Sequence, residues 1–107
     1  MKNDRFNEIV KETLKTAEEI LRQKSAEYSR GGDKLHNFRR GGEILNCSPE
    51  KALMGMKLKH DISVMDIVND LDGGVLASKE LIDEKIGDSI NYLLLLKACL
   101  YERLTPQ

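Results

Sequence analysis

The sequence LIDEKIGDSINYLLLLKACLYERL, residues 81–104, decides the fold of this chain. It is long enough to cross a small domain as one helix, and apolar side chains occupy nearly every side of it. At the edge of a monomer, such a helix would leave too much leucine and isoleucine in water. We therefore expect it in the middle of a helical bundle or at an interface.

Polar residues share the predicted inner face of this helix. Residues three and four positions apart lie on the same side of an α-helix, and this spacing groups seven of them: Leu81, Glu84, Asp88, Asn91, Tyr92, Leu95 and Cys99. A buried carboxylate is costly unless it is paired, hydrogen-bonded or bound to metal. We expect any function to involve Asp88.

Length and composition indicate a single domain over residues 1–107. Of its 107 residues, 40% are hydrophobic, which is enough for one core. The net charge of -1 gives no general attraction to nucleic acid or to an anionic membrane. No apolar run is long enough to span a bilayer, and the N-terminus lacks the apolar region of a signal peptide. These features predict a cytoplasmic protein without a membrane partner, and both cysteines are expected as reduced thiols.

Three more helices are predicted from apolar periodicity and end signals. The first covers residues 4–29 and ends before Gly31 and Gly32. A short helix near residues 38–45 is expected to be interrupted or loosened by its glycines. The third covers residues 49–71, because Ser48 is a good N-cap and Pro49 suits the first helical position. The fold class is therefore an all-α bundle of three long helices and one short helix.

The third helix carries apolar residues on two faces. Its main face combines Leu53, Met56, Val64, Ile67, Val68 and Leu71, and a second stripe holds Met54, Leu58 and Met65. The last helix is also apolar on more than one face. A small four-helix monomer cannot cover all of these faces well, so the third and last helices together predict a homodimer.

Asp88 and Glu84 are the candidate metal ligands. With Asn91 one turn later, they present oxygen atoms on one side of a helix, and Mg²⁺ prefers such ligands. The alternative is that Glu84 is solvated and that Asp88 pairs with a lysine or arginine of another helix.

The third helix and the preceding loop supply candidate substrate contacts. Lys59 is suited to a phosphate and His60 to proton transfer or a base, although a lone histidine on an apolar face is commonly a core residue. His36 and Asn37 follow the Gly31-Gly32 turn, where backbone N–H groups, an amide and cations suit a nucleotide. This loop is not a Walker A or dinucleotide motif, and its arginines are equally consistent with a solvated helix start.

Three segments carry a family resemblance: K-x-x-E-Y-x-x-G-G-D-x-L-x-N-F at 24–38, S-P-E-x-A-L-x-G-M-x-L-K-H at 48–60 and I-G-D-x-I-N-Y-L-L-L at 86–95. Together they resemble small phage-encoded proteins of the nucleotide modification associated domain 1 type. Those proteins in turn resemble the MazG-like all-α nucleoside triphosphate pyrophosphatases. The resemblance implies a helical bundle that associates, a nucleotide substrate and Mg²⁺ held by carboxylates, with Gly87-Asp88 matching the end of the family's E-x-x-D motif.

The chain departs from the enzyme pattern at two places. Lys85 stands where that pattern has glutamate, and His60-Asp61 takes the place of its E-E-x-x-E helix. Three hypotheses follow. In the first hypothesis, the protein is a Mg²⁺-dependent nucleoside triphosphate pyrophosphohydrolase in which Asp88 and Glu84 bind the metal and Lys59 binds phosphate. The residues expected near the substrate are His36, Asn37, His60, Asn91 and Tyr92. Alternatively, the protein is a non-catalytic nucleotide-binding module, or a helical interaction protein whose polar core residues fix the helix register.

Overall fold

The computed structural model describes residues 1–104, apart from the side chain of Tyr28. It contains four helices in chain order: α1 (Asn3–Tyr28), α2 (His36–Leu45), α3 (Pro49–Asp72) and α4 (Lys79–Leu104). No strand occurs within residues 1–104, so the predicted all-α class with three long helices and one short helix is confirmed. None of the helices in this region is long and apolar enough to cross a membrane.

The predicted helix ends are formed by the expected local contacts. The Ser48 hydroxyl accepts a hydrogen bond of 3.1 Å from the backbone N–H of Lys51, at the start of α3. Ser78 does the same for Leu81 at the start of α4, also at 3.1 Å. After α1 the chain turns through Gly31 and Gly32, whose φ angles of 59° and 81° favour glycine.

The expectation that glycines interrupt the second helix is wrong. Helix α2 is continuous and begins two residues earlier than predicted. A Cβ on Gly42 would lie 2.7 Å from the backbone oxygen of Cys47 and 3.1 Å from the backbone nitrogen of Pro49. Gly42 therefore allows the chain to fold back closely from α2 into α3, and this close approach explains a glycine inside a regular helix.

Helix α4 packs against both α1 and α3, and α2 packs mainly against α3. Helix α4 thus lies between α1 and α3, whereas Leu93, Leu94 and Leu100 on it are about half exposed, and the expected alternative of an interface at α4 stays a prediction. The buried core lies at the end of the bundle covered by α2 and consists of Leu35, Phe38, Leu53, Leu95 and Cys99. Phe38 and Leu53 are fully buried, and each contributes roughly 1.5–3 kcal/mol of hydrophobic free energy.

Within one chain, α3 is covered on one face only. Leu53 is buried and Met56 packs against the core, but the second stripe of Met54, Leu58 and Met65 is about half exposed. Val68 and Leu71 of the predicted main face are also about half exposed, because α2 reaches only the first half of α3. The predicted burial of both faces is therefore not achieved inside the monomer.

Candidate functional site

A cleft of about 130 Å³ opens between α1, α3 and α4 beside the core. Its lining combines apolar side chains with charged and amide groups: Ile20, Leu21, Lys24, Glu27, Lys59, His60, Asp88, Asn91, Tyr92 and Leu95. Each helix contributes one edge, so the cleft exists only in the packed bundle.

Helix α4 places its polar residues in this cleft through simple helical spacing. Asp88, Asn91 and Leu95 lie three and four positions apart, and all three are buried. Gly87 and Ala17 are also buried and line a neighbouring cleft between α1 and α4. The sequence prediction of a carboxylate and an amide on the inner face of α4 is confirmed.

The Asp88 carboxylate has two positively charged or titratable neighbours. The Lys24 ammonium from α1 lies 3.8 Å from Oδ1, and Nδ1 of His60 from α3 lies 3.6 Å from Oδ2. Both distances exceed normal hydrogen-bond lengths. Since the Lys24 side chain is 49% exposed, much of its charge is screened by water. The carboxylate is therefore buried with only loose contacts from its neighbours.

Asn91 carries an unpaired polar group in the same cleft. Its side-chain oxygen Oδ1 is buried and accepts no hydrogen bond from the described residues. The residue as a whole is only 5% exposed. A buried polar atom without a partner costs about 1–3 kcal/mol, so native proteins rarely keep one unless something else uses it.

The rings of His60 and Tyr92 lie next to each other in one wall of the cleft. The His60 ring lies 4.7 Å from the Tyr92 ring, centroid to centroid, at an angle of 37°, and Tyr92 in turn makes an edge contact with Phe38. Burial lowers the pKa of His60, and Asp88 opposes this effect, so the imidazole is neutral at pH 7. Burial raises the pKa of Tyr92, so its hydroxyl stays protonated. The cleft thus offers a neutral imidazole and a phenol beside the Asp88 carboxylate.

The structure brings together most of the predicted site residues. Lys59, His60, Asp88, Asn91 and Tyr92 all line the cleft. The other three predicted residues do not line it: Glu84, His36 and Asn37. Glu84 is exposed on α4, because its position one turn earlier lies beyond the cleft.

The structure gives His36 and Asn37 contacts that stabilise the fold at the start of α2. The Asn37 side-chain amide donates a 3.1 Å hydrogen bond to the backbone oxygen of Glu27, which ties α2 to the end of α1. His36 begins α2, and its backbone N–H bonds to the oxygen of Asp33. Asn37 does not line the cleft itself, but it holds the backbone of Glu27, which does. The side chain of Tyr28, a residue of the 24–38 motif, lies outside the described part of the chain.

The sequence motif at 24–38 includes Lys24 and Glu27, but sequence reasoning did not place these residues of α1 in one cleft with Asp88. Lys24 and Glu27 line it together with Ile20 and Leu21. The signal was present, since Lys24 stands four positions after Ile20 and Glu27 stands three further on. These charged residues continue the apolar stripe of an amphipathic helix, where a charge is unfavourable unless it has a specific contact.

The donor atoms of the cleft do not form a metal-binding cage by themselves. Within residues 1–104, no group of three or more histidine, cysteine, aspartate or glutamate side chains is placed to hold a metal ion. The buried carboxylate of Asp88 already has Lys24 nearby, at 3.8 Å. Mg²⁺ is commonly held by one or two carboxylates together with substrate phosphates, and Asp88 supplies one.

A second cleft of about 380 Å³ adjoins the first and shares Leu21 and Leu95 with it. Arg22 and Lys34 stand at its rim, and Lys34 donates a 2.9 Å hydrogen bond to the Ser25 hydroxyl. Small-molecule sites generally measure about 300–1,000 Å³. The two adjoining clefts together reach that range, whereas the polar cleft alone holds only part of a ligand.

A further cavity of about 420 Å³ lies between α2, the start of α3 and the end of α4. Its charged residues pair with one another. Arg39 bonds to Asp33 and Glu102, and Arg103 bonds to Glu50 at 2.6 Å. These pairs neutralise the cavity and join three helices, so it offers no free group for a ligand.

Comparison of the chain with family models, with characterised proteins and with solved structures gave no match. The resemblance to phage-type and MazG-like proteins therefore stays a prediction, and the case for function depends on the geometry of the cleft.

Proposed function

We propose that the protein binds a nucleotide in the cleft between α1, α3 and α4. The observation that carries this proposal is the side-chain oxygen of Asn91, which is buried without a hydrogen-bond partner among the described residues, in a residue lining a cleft that also contains cations and aromatic rings. An amide can both donate and accept a hydrogen bond, as recognition of a base or a sugar requires. A ligand would satisfy the group that the fold leaves unpaired.

Two lysines from different helices are available to bind the phosphate groups of the nucleotide. Lys59 is exposed at the cleft and forms no ion pair with a described residue. Lys24 lies opposite it on α1 with half of its side chain in water. Ammonium groups on a flexible stem bind phosphate as point charges, so both can move to a ligand without disturbing the backbone.

Aromatic and apolar side chains of the two clefts form a surface on which the nucleotide base can pack. The His60 and Tyr92 rings form one wall of the polar cleft, and Leu21 and Leu95 continue into the adjoining cleft. A flat heterocycle has an apolar face and polar edges, and this combination matches such a surface beside Asn91. The charged end of the ligand then lies toward Lys24 and Lys59.

The geometry supports binding better than hydrolysis. A pyrophosphohydrolase that uses metal needs several ligands around its ion, and the described residues supply Asp88 without a second buried acid from α4. Mg²⁺ stays a prediction, in which Asp88 would hold the ion together with nucleotide phosphates. In that arrangement the ion would neutralise phosphate charge, and Lys24 would move aside.

Calorimetric titration with a panel of ribo- and deoxynucleoside triphosphates, with and without Mg²⁺, tests this proposal. We expect at least one to bind with micromolar affinity, Asn91→Leu to weaken binding at least tenfold, and the corresponding nucleoside to bind more weakly. Ser89→Ala is the matched control, since Ser89 lies on the same helix and does not line the cleft. Release of pyrophosphate and nucleoside monophosphate during the titration would identify hydrolysis. No binding at millimolar concentration would favour the helical interaction protein instead.

We also propose that the chain forms a homodimer. The observation favouring it is the set of half-exposed apolar residues on α3, of which Leu58 and Met65 are 56% and 60% exposed. An apolar stripe of this length is unfavourable in water and is typical of an interaction surface. Light scattering at micromolar concentration should give the mass of two chains, whereas a stable monomer would contradict the proposal.

A further inference from the structure

The outer face of α3 carries one continuous apolar stripe, here called the α3 stripe: Met54, Leu58, Ile62 and Met65. The residues are spaced by four, four and three positions, so they lie on one side of the helix. Their exposed fractions lie between 46% and 60%, so no described helix of the same chain covers them. The stripe spans roughly 16 Å along the helix axis, at about 1.5 Å per residue.

Charges beside the α3 stripe are divided by sign along the helix. Lys51 and Lys59 lie in the first half of α3, and Asp66 and Asp70 lie in the second half. All four are exposed, and the described part of the chain gives none of them an ion-pair partner. A helix that is basic at one end and acidic at the other complements an antiparallel copy of itself.

We propose that two copies of the chain pack α3 against α3 in antiparallel orientation, with a two-fold axis near Ile62. The inference specifies the interface of the homodimer proposed above. A two-fold axis at this position places Leu58 opposite Met65 of the partner subunit and brings Ile62 close to Ile62 of the partner subunit. A C2 interface uses the same patch on both copies, as this arrangement does.

The same register decides which charges meet. Lys59 and Asp66 lie on the same flank of the α3 stripe, since they are seven positions apart. In the antiparallel pair, Lys59 lies opposite Asp66 of the partner subunit, and the contact is repeated across the axis. A parallel two-fold pair would place this flank of the two copies on opposite sides of the interface and would separate Lys59 from Asp66 of the partner subunit, so this charge pair favours the antiparallel orientation.

The proposed interface borders the nucleotide cleft. Lys59 lines that cleft and also flanks the α3 stripe. The partner subunit therefore contributes a carboxylate, Asp66, to the rim of the site. The cleft of one chain would be completed at this edge by the other.

Disulfide trapping tests the register directly. In a Cys47→Ser background, which removes the more accessible thiol and keeps the buried Cys99, Ile62→Cys should form a covalent dimer on mild oxidation. Leu94→Cys is the matched control on α4, where the residue is 47% exposed. Cross-linking at 62 but not at 94 supports the proposal. Cross-linking at 94 alone, or at neither position, overturns it.

Charge reversal tests the pairing. Asp66→Lys should raise the dimer dissociation constant at least tenfold in sedimentation equilibrium without nucleotide, and Lys59→Asp should do the same. The double variant should return to within about threefold of the original value. Additive losses in the double variant overturn the register. Nucleotide titration of the unsubstituted protein is measured separately: a monomer that binds nucleotide contradicts the dimer alone, and a dimer that binds none contradicts the nucleotide proposal alone.

Discussion

The substitution Asn91→Leu should stabilise the fold while it weakens ligand binding. Leucine has the same branched shape as asparagine, and the side chain of residue 91 is almost fully buried. Since Oδ1 has no partner among the described residues, the substitution removes an unsatisfied acceptor and breaks no hydrogen bond described in the fold. An apolar group of the same shape is therefore favoured at this position.

The expected gain follows from the cost of the unpaired group. A buried acceptor without a partner costs about 1–3 kcal/mol, so the free energy of unfolding should rise by about that amount. For a domain of this size, 1 kcal/mol corresponds to a shift in Tm of roughly 4–8 °C. Urea denaturation at pH 7 gives the free energy of unfolding, and an unchanged m value shows that the two proteins expose similar surface.

Ser89→Ala separates stability from binding. The Ser89 hydroxyl is also buried without a partner in the described structure, but it does not line the cleft. It should raise stability without changing nucleotide affinity. A loss of more than about 1 kcal/mol in Asn91→Leu would show that the amide is used by the fold, and the observation behind the proposed function would be lost. Stabilisation with unchanged affinity would remove Asn91 from the ligand contacts.

Three other perturbations have defined expectations. Asp88→Asn should change the free energy of unfolding by no more than about 1 kcal/mol, because Lys24 is half exposed and stays hydrated when its partner is lost; thermal melts measure this. Acidification below pH 6.5 should lower the free energy of unfolding, because burial lowers the pKa of His60 and the unfolded chain therefore binds more protons than the folded chain. In His60→Gln, the free energy of unfolding should depend less on pH in this range. Gly42→Ala should cost roughly 1–3 kcal/mol, since its Cβ would meet the Cys47 backbone oxygen at 2.7 Å.

Each of these perturbations has a control or a contrary result. Asp83→Asn is the control for Asp88→Asn, because it makes the same change in an exposed ion pair on α4. A loss of about 3–5 kcal/mol in the free energy of unfolding in Asp88→Asn alone would mean that Lys24 is desolvated. Equal pH dependence in His60→Gln would assign the acid sensitivity to other groups. Gly87→Ala places a Cβ where no atom lies within 4 Å and should gain up to about 1 kcal/mol of helix propensity; equal destabilisation by both glycine variants would contradict the close approach at Gly42.

The sequence predicted the helices because their signals are local. Apolar spacing, the Ser48 cap and the Gly31-Gly32 turn act within a few residues, and each has the predicted role in the structure. Helical spacing also placed Asp88 and Asn91 together on the inner face of α4, since residues on one helix keep a fixed geometry wherever that helix packs.

Only tertiary packing decided which helices share the cleft and which apolar faces are covered. The direction in which α1 crosses α4 brings Lys24 to Asp88, and no local rule fixes that crossing. The same packing leaves Glu84 outside the cleft and uses Asn37 to hold the end of α1. It also leaves the α3 stripe exposed, because the stripe lies outside the face of α3 that holds the buried Ala52 and Leu53. Sequence periodicity states that a face is apolar, whereas the relative positions of the helices determine what, if anything, packs against it.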